Sequence, residues 1–213
     1  MTFVPDLATI LAFAAASLFL TITPGPDMTL FISRALADGR RAGIASILGA
    51  STGIAVHTTL VAFGLSALVV ASPTAFMALK IVGAGYLLYL AVQAIRHGST
   101  LTVRQGGTRR RSFFGNWLMG LGVNLMNPKV VLFFMTFLPQ FVSAGDPDVR
   151  GKLLFLGVLF VALSVPVCVL IVMAADRLAG WLQRNVKVMR AIDFGFAGIF
   201  SAFAVRILLT QGR

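Results

Sequence analysis

The sequence predicts an all-α polytopic membrane protein with six transmembrane helices, arranged as two inverted three-helix repeats in which helices 1 and 4 are broken. Three observations lead to this prediction. The 213 residues are 58% hydrophobic and only 12% charged, with a mean hydropathy of +0.91, whereas a soluble domain carries about 25% charged residues. The apolar residues form runs long enough to cross a bilayer's hydrocarbon core, which takes about 20 residues. Helix breakers interrupt the first and fourth runs at matching positions.

Charged or turn-forming residues bound each apolar run and set the predicted spans. Because the N-terminus lacks the basic segment of a signal peptide, the first run is expected to be retained as a span. The six predicted spans cover residues 7–33, 43–71, 74–96, 113–142, 152–176 and 190–209.

Basic residues concentrate in three of the connections between spans, and this predicts the orientation of the chain. Lys and Arg favour the cytoplasmic side of a membrane protein, so both termini are expected on the opposite side. The net charge of +11 is explained in this way, and no nucleic-acid partner is expected. The three connections hold Arg34, Arg40 and Arg41; Arg96, Arg104, Arg109, Arg110 and Arg111; and Arg177, Arg184, Lys187 and Arg190.

Two alignments between the halves of the chain support an internal repeat. Residues 26–36 align with 128–138, and residues 80–96 align with 190–206. Each half holds three spans, an odd number, so the halves would insert with opposite orientation, as in many secondary transporters. The linker between them is interpreted as a flexible topology anchor, with contact to anionic lipid as the alternative. The prediction is one transporter domain, 1–213, with repeat A at about 1–96, a basic cytoplasmic linker at about 97–112 and repeat B at about 113–213.

The two interruptions, TPGPD at 23–27 and NLMNPK at 124–129, form the candidate binding site. Proline removes a backbone donor and disfavours helix in the residue before it. Within a bilayer, the backbone groups freed in this way survive only inside the protein or against an aqueous cavity. Paired breaks in matching positions therefore indicate a transporter's binding site. The predicted substrate-binding residues are Pro24, Gly25, Pro26, Asp27, Asn124, Asn127, Pro128 and Lys129.

Asp27 and Lys129 follow the prolines of the two breaks, at equivalent positions of the repeats. A charge at bilayer depth costs about 2.5–3.5 kcal/mol on insertion scales, so it usually faces the interior and has a partner. Two roles are open for these residues. They form an ion pair that closes the interface between the halves, or Asp27 binds the ammonium and Lys129 the carboxylate of a zwitterion. Both roles could hold at different stages of one transport cycle.

Polar residues on spans 2 and 4 complete the candidate site. Asn116, Gly120, Asn124 and Asn127 recur at helical spacing, which places them on one face and predicts the wall of a cavity. His57 lies near the middle of span 2, and an imidazole that changes charge near neutral pH suits proton coupling. A neutral, hydrogen-bonded packing histidine is the alternative. The predicted proton-coupling residues are Asp27 and His57.

The sequence argues against several other classes of membrane protein. The spans show no cluster of Cys, His and carboxylate residues that would suit a metal, and one cysteine, Cys168, cannot supply the pair that a thiol–disulfide electron carrier needs. No HExxH or GxSxG motif and no paired intramembrane acids suggest hydrolytic chemistry. The chain is therefore not expected to be an enzyme, to hold a metal or to use a cofactor.

Four segments make the chain resemble one known family: TPGPDM, SRALADGRRAG, LKIVGAGYLLYLAVQAIR and NLMNPKVVLFFMTFLPQF. In these positions they are similar to motifs of the LysE/RhtB superfamily of amino-acid exporters, and the resemblance covers essentially the whole chain. The branch with threonine, homoserine and leucine exporters looks closer than the basic branch. By resemblance, the PGP motif falls on Pro24, Gly25 and Pro26, and the NPK motif on Asn127, Pro128 and Lys129.

The resemblance implies a secondary transporter of the bacterial inner membrane that exports neutral amino acids or their derivatives and is driven by the proton motive force. Its partners would be the amino acid, protons and the lipid bilayer, with both termini periplasmic; a homo-oligomer is left open. Alternating access would come from rocking of the two repeats around a midplane site. Export of a metal ion or another small solute on the same scaffold is the alternative function.

Overall fold

The structure, a computed structural model, is helical throughout most of the part of the chain that it describes, residues 3–97, 111–143, 146–175, 177, 181 and 185–211. A π-helical turn (Phe133–Phe137) and a 3-10 turn (Leu138–Phe141) follow the sixth helix directly. The helices are α1 (Leu7–Ile22), α2 (Pro26–Asp38), α3 (Arg40–Ala71), α4 (Pro73–His97), α5 (Phe113–Met126), α6 (Pro128–Leu132), α7 (Val149–Met173) and α8 (Val186–Gln211).

Four of these helices, α3, α4, α7 and α8, are each long and apolar enough to cross a membrane. Two bent pairs add to them, because α1 meets α2 at 52° and α5 meets the segment Pro128–Phe141 at 54°. Counting each pair as one span gives up to six spans among the described residues, which is compatible with the predicted polytopic membrane protein. Both predicted breaks are confirmed. The inverted repeat and the division of the domain stay predictions, and most of the linker at 97–112 lies outside the described residues.

Capping residues explain where several helices begin and end. Asp6 caps α1 by accepting a hydrogen bond from the Thr9 N–H at 2.9 Å, and this bond lowers the pKa of the Asp6 carboxyl. Asp148 caps α7 in the same way, with the Gly151 N–H at 2.8 Å. α2 ends at Gly39, whose φ of 88° lies in the region that favours glycine. The chain can therefore turn from α2 into α3 within one residue.

Single-residue connections define the two ends of the helix bundle. At one end Ser72 alone joins α3 to α4, and the beginnings of α1 and α7 lie beside the first turns of α4; this is named the Ser72 end. At the other, Gly39 joins α2 to α3, near the beginning of α5; this is named the Gly39 end. The positive-inside rule predicts that the Gly39 end faces the cytoplasm.

Arg34 corrects the predicted boundary of the first span. The sequence places it in the connection, but α2 continues to Asp38, and Arg34 is only 4% exposed. Its Nε donates to Asn116 Oδ1 at 2.7 Å, and its guanidinium forms an ion pair with Asp38. Charge-assisted hydrogen bonds offset the cost of burying a cation, so this arginine fastens α2 to the beginning of α5. Lys187 and Arg190, predicted in the last connection, likewise lie in the first turns of α8.

Glycines allow α3 and α5 to pack with their backbones in contact. Gly49 lies against the Trp117 carbonyl and Gly120 against the Ser46 carbonyl, so that a Cβ at either glycine would overlap backbone atoms. Small residues at helix crossings permit such close approach. The predicted cavity wall is therefore wrong for Gly120, which lies in this helix interface, and for Asn116, which binds Arg34 instead.

Phenylalanine side chains fill the core between the two breaks and the Ser72 end. The π-helical turn supplies Phe133 and Phe137, whose ring centroids are 4.7 Å apart. Phe133 also contacts Phe160 of α7 at 5.6 Å and Phe200 of α8 at 6.0 Å. These rings close the space between α1, α7 and α8. The aromatic cluster, as the term is used below, consists of Phe13, Phe133, Phe137, Phe141, Phe160, Phe200 and Phe203.

Candidate functional site

The two breaks meet at a cavity of about 70 Å³ inside the bundle, named the inner cavity. The end of α1, the beginning of α2, the first half of α3, the end of α5 and the second half of α7 surround it. One water takes about 10–15 Å³ of such space, so the cavity has room for a small polar solute. Five of the predicted binding residues line it: Gly25, Asp27, Asn124, Asn127 and Lys129.

The first break places a carboxylate at the beginning of a helix. Gly25 is the N-cap of α2 and supplies no side-chain hydrogen bond, Pro26 is the first helical residue, and Asp27 follows in the first turn. Proline suits the first position because its missing N–H would have had no partner within the helix. The beginning of a helix favours negative charge. The amides that begin α2 therefore have no capping side chain, and Gly25 and Asp27 line the inner cavity beside them.

The Asp27 carboxylate reaches from the first break to α5. Its Oδ2 accepts a hydrogen bond from Asn124 Nδ2 at 2.8 Å. Its Oδ1 is buried and has no hydrogen-bond partner. A buried carboxylate oxygen without a donor is unfavourable. Asp27 lines the inner cavity with Asn124 and Asn127 beside it, so a solute that carries N–H groups can meet this residue there.

The second break repeats the register of the first with the opposite charge. Asn127 caps α6 by accepting the Lys129 N–H at 3.1 Å, and Pro128 is again the first helical residue. A cation is unfavourable at the beginning of a helix, and the Lys129 side chain extends away from it. Its Nζ donates to Leu20 O at 2.8 Å and to Thr23 O at 2.5 Å. These carbonyls end α1, where a cation is favourable.

The two breaks therefore hold each other through crossed contacts. Asp27 of the first break bonds Asn124 in the last turn of α5, and Lys129 of the second bonds carbonyls at the end of α1. Among the described residues, no ion pair within 4.0 Å joins Asp27 to Lys129. The direct pair, one of their two predicted roles, is thus not formed in this conformation.

His57 lies beside the second break and does not line the inner cavity. It is buried, with Nε2 3.5 Å from Asn124 O and its ring stacked on Phe134 at 6.1 Å between centroids. Asn124 thus contacts both predicted proton-coupling residues, Asp27 through its side chain and His57 through its carbonyl. Gly53 makes room for this, because a Cβ there would lie 2.5 Å from Asn124 Oδ1.

The three prolines of the breaks shape the site without lining the inner cavity. Pro26 and Pro128 begin their helices and are exposed on the helix surface, whereas Pro24 is buried beneath the first break. Each removes a backbone donor where the helix stops. Their place in the site is to set the bends that bring Asp27 and Lys129 to the cavity.

Three residues beyond the predicted set belong to the site or its surroundings. Asp193 of α8 is 1% exposed and, with Asp27, lies within electrostatic reach of Lys129. One turn further, the Phe196 ring lies 5.9 Å from Lys129 Nζ. An acid inside the last apolar run was the available signal, since intramembrane charges usually serve function. Cys168, the only cysteine of the chain, lines the inner cavity.

Lys129 is among the groups that act on Asp27, and an ammonium has no lone pair with which to bind a metal ion. In the part of the chain that the structure describes, no three His, Cys, Asp or Glu side chains come together.

The chain is similar to bacterial membrane proteins along most of its length. The sequence profile described as LysE type translocator matches residues 18–211. A homoserine/homoserine lactone efflux protein of Salmonella typhimurium is 32% identical, over 95% of this chain and 96% of its own. A leucine efflux protein of Salmonella choleraesuis is 22% identical, over 93% and 94%. An uncharacterized membrane protein of Bacillus subtilis is 27% identical, over 83% and 87%. No solved structure matches the chain.

Proposed function

The chain belongs to the LysE type translocator family, and on that premise we propose that it exports amino acids or close derivatives across the bacterial inner membrane. The family predicted from the sequence is confirmed by the match over residues 18–211. The proposal includes the proton motive force as the driving force and alternating access of two inverted repeats as the mechanism. The observation that carries it is the half-satisfied Asp27 carboxylate in the inner cavity.

The solutes named for the two efflux relatives share one chemical group. Homoserine, homoserine lactone and leucine all carry an amine, whereas the lactone has no free carboxylate. Among the described residues that line the inner cavity, Asp27 is the one acid, and its Oδ1 has no donor. An ammonium held by a carboxylate makes a charge-assisted hydrogen bond, about twice as strong as a neutral one. Asp27 is therefore assigned to the amine of the exported solute.

Lys129 serves the same site in a different way. Two of its three N–H groups are taken by Leu20 O and Thr23 O, so it holds the end of α1 against the cavity. The third is left for the carboxylate of a solute that has one. Of the two predicted roles of Lys129, the carboxylate contact is part of this proposal, and its bonds to the end of α1 stand in place of the predicted ion pair with Asp27.

Proton coupling is proposed because the Asp27 carboxylate can hold either the ammonium of the solute or a proton, but not both at once. An ionised carboxylate binds an ammonium, and a protonated one loses that attraction. Release of the solute outside, followed by uptake of a proton at Asp27, returns the carrier with the proton and so exchanges one for the other. Asn124 orients the carboxylate. His57, on the other side of Asn124, is the second group that can take up the proton.

Several features of the fold support alternating access by inverted repeats. The two bends are nearly equal, 52° and 54°, and the breaks share an order of cap, proline and charged residue. α4 and α8, whose sequences align, pack against each other. With the Gly39 end in the cytoplasm and both termini periplasmic, the inner cavity would lie toward the cytoplasm, and the aromatic cluster would close its outer side.

Efflux from proteoliposomes tests the proposal. Vesicles loaded with L-leucine, L-homoserine or L-homoserine lactone should release each solute faster than protein-free vesicles, and an acidic exterior should accelerate release. The hydroxy acid analogue of leucine, which lacks the amine, should stay inside. Failure to export any of the three amines overturns the proposed function. Equal export of the hydroxy acid overturns the assignment of Asp27 alone.

Cys168 provides a second test on the natural chain. As the only cysteine and a lining residue of the inner cavity, it should react with a maleimide slowly, because a buried thiol forms little thiolate. Saturating L-leucine should slow that reaction further. Cys168→Ser controls for labelling elsewhere, and Asp27→Asn should remove the protection. Protection by leucine that survives in Asp27→Asn contradicts binding at this carboxylate.

A further inference from the structure

A second cavity, of about 350 Å³, lies at the Ser72 end of the bundle and is named the outer cavity. The beginnings of α1, α4 and α7 surround it, together with the residues that follow the 3-10 turn. The lining is mostly polar, in contrast to the aromatic cluster beneath it. Its polar side chains are Asp6, Thr9, Lys80, Gln140, Ser143, Asp146 and Lys152.

Lys80 brings a cation with unused donors to this cavity. Its Nζ donates to Val142 O at 3.1 Å and lies 5.6 Å from the centre of the Phe76 ring. An ammonium has three N–H groups, so the described contacts leave two of them for another acceptor. A lysine near the end of a span can simply extend toward the membrane surface. Lys80 instead turns toward protein backbone beside the cavity.

Gln140 lies beside this cavity and contacts α4. Its Nε2 donates to Lys80 O at 3.2 Å and to Thr136 O at 2.8 Å, and its Oε1 is buried without a hydrogen-bond partner. The two bonds from Nε2 fix the orientation of the amide. This oxygen has almost no accessible surface, so the part of Gln140 beside the cavity is its amide nitrogen, which holds the backbone of α4 at Lys80. Lys152 and Asp146, by contrast, satisfy each other at 2.7 Å.

The outer cavity lies across the aromatic cluster from the inner one. Phe160 lines the inner cavity, and Phe141 and Phe203 line the outer. Phe133 and Phe137 join them, with ring centroids 5.6 Å from Phe160 and 4.7 Å from Phe203 respectively. Both belong to the π-helical turn, a geometry that is frequent at functional sites. Contacting aromatic rings therefore separate the inner cavity, whose lining is mostly apolar, from the more polar outer cavity.

We infer that the outer cavity is a second binding site for a small zwitterion, whose carboxylate binds the Lys80 ammonium. This inference rests on the proposed export function, because a solute that passes the aromatic cluster meets this site before it leaves. The two sites differ in chemistry: the inner one requires the amine through Asp27, and the outer one requires the carboxylate through Lys80. Homoserine lactone, which has no free carboxylate, should occupy the inner site alone.

Binding stoichiometry tests the outer site. The measurement is equilibrium dialysis with the full chain in lipid nanodiscs. L-leucine should reach about two bound molecules per chain and L-homoserine lactone about one. The lactone lacks the carboxylate, and loss of a charge-assisted contact lowers affinity by roughly tenfold or more. Lys80→Met and Asp27→Asn should each reduce leucine to about one per chain by removing different sites. Lys80→Arg, which keeps the charge, should restore the second molecule.

Controls separate this inference from the export function and from misfolding. Lys187→Met removes an exposed lysine of α8 at the opposite end and should leave the stoichiometry unchanged. Lys80→Met and Lys80→Arg should unfold at the same temperature. A difference in bound leucine between them then reports the outer site and not a loss of folded protein. Two results would overturn the outer site but not the export function. One is export of leucine by a wild-type protein that binds only one molecule per chain, and the other is a second bound molecule that persists in folded Lys80→Met. If the protein neither binds nor exports any amine, both the outer site and the export function are overturned.

Discussion

The two breaks share a register but differ in how their polar groups are satisfied. Residues 25–27 and residues 127–129 each place a cap, a proline and a charged side chain at the beginning of a helix. At the second break, Asn127 caps the helix and Lys129 binds the end of α1. At the first, the cap has no side chain and one oxygen of Asp27 has no donor.

The difference favours the first break as the solute site and the second as its structural support. Broken helices within a membrane need their freed polar groups satisfied. The second break satisfies the beginning of α6 and the Lys129 ammonium with groups of the chain itself, although Asn124 Oδ1 beside it has no donor. It therefore serves as a structural junction between the halves. The first leaves a carboxylate oxygen and the beginning of a helix for something that the chain does not supply. Changes at the first break should therefore alter export, and changes at the second should alter stability as well.

The largest effect is expected for Asp27→Asn. Removing the charge leaves the solute's ammonium without its partner, and loss of one member of a buried charged contact costs about 2–5 kcal/mol, so export should fall by about 30-fold or more. The asparagine keeps the shape of the side chain and can still accept from Asn124 Nδ2. Unfolding temperature and membrane insertion should stay at wild-type values. Efflux from proteoliposomes and circular dichroism on heating measure the two properties.

Asp148→Asn is the matched control for Asp27→Asn. It makes the same change at the N-cap of α7, where asparagine caps about as well as aspartate, and export should be unchanged. Wild-type efflux by Asp27→Asn would contradict the assignment of the first break as the solute site.

Lys129→Met should reduce export and stability together. Hydrogen bonds from a charged donor contribute about 1.5–3 kcal/mol, and this change leaves Leu20 O and Thr23 O without their donor. Export should fall by roughly tenfold because the end of α1 loses its place beside the cavity. Thermal unfolding and efflux, measured on the same preparation, check the pair of effects. Full stability in Lys129→Met would contradict a structural role for the second break.

A charge exchange separates the crossed contacts from a direct ion pair. The double variant Asp27→Lys with Lys129→Asp should be inactive, because an aspartate at 129 cannot donate to the carbonyls that end α1. Restored efflux would instead support the Asp27–Lys129 pair in another conformation of the cycle.

Gly25→Asn transfers the cap of the second break to the first. The backbone at Gly25 is extended, and a Cβ there would meet Lys129 Cδ at 3.5 Å, an ordinary contact. The new side chain can accept the Asp27 N–H, so stability should rise by a few tenths of a kcal/mol. Because that side chain enters the inner cavity, export should fall by roughly threefold to tenfold. Unchanged efflux in a stabilised variant would mean that the solute uses neither this space nor the uncapped amides.

The sequence predicted the spans and the breaks because both depend on local chemistry. Apolar runs and prolines act within a few residues, and the bends appear where Pro24, Pro26 and Pro128 place them. Arg34 was assigned to a connection because a charged residue usually ends an apolar run; only its tertiary partner, Asn116, explains its burial.

The contacts of the site were not predictable in the same way. Lys129 and Leu20 are 109 positions apart in the chain, and Asp27 and Asn124 are 97 apart. Their bonds depend on how α6 approaches α1 and how α5 approaches α2. The stripe that begins at Asn116 has one helical periodicity, but part of it packs against α3 and part of it lines the cavity. Periodicity identifies a buried polar face without identifying what covers it.

The smallest and most nearly equal effects are expected for Pro26→Ala and Pro128→Ala. Both prolines occupy the first helical position and are exposed, and neither lines the inner cavity. Each restricts the unfolded chain, so each alanine should cost about 0.4–1 kcal/mol of stability and change export by less than about threefold. Thermal unfolding and efflux of the two variants should agree with each other. If Pro26→Ala abolished export while Pro128→Ala did not, the asymmetry between the breaks would extend to the bend itself, beyond the caps and charges beside it.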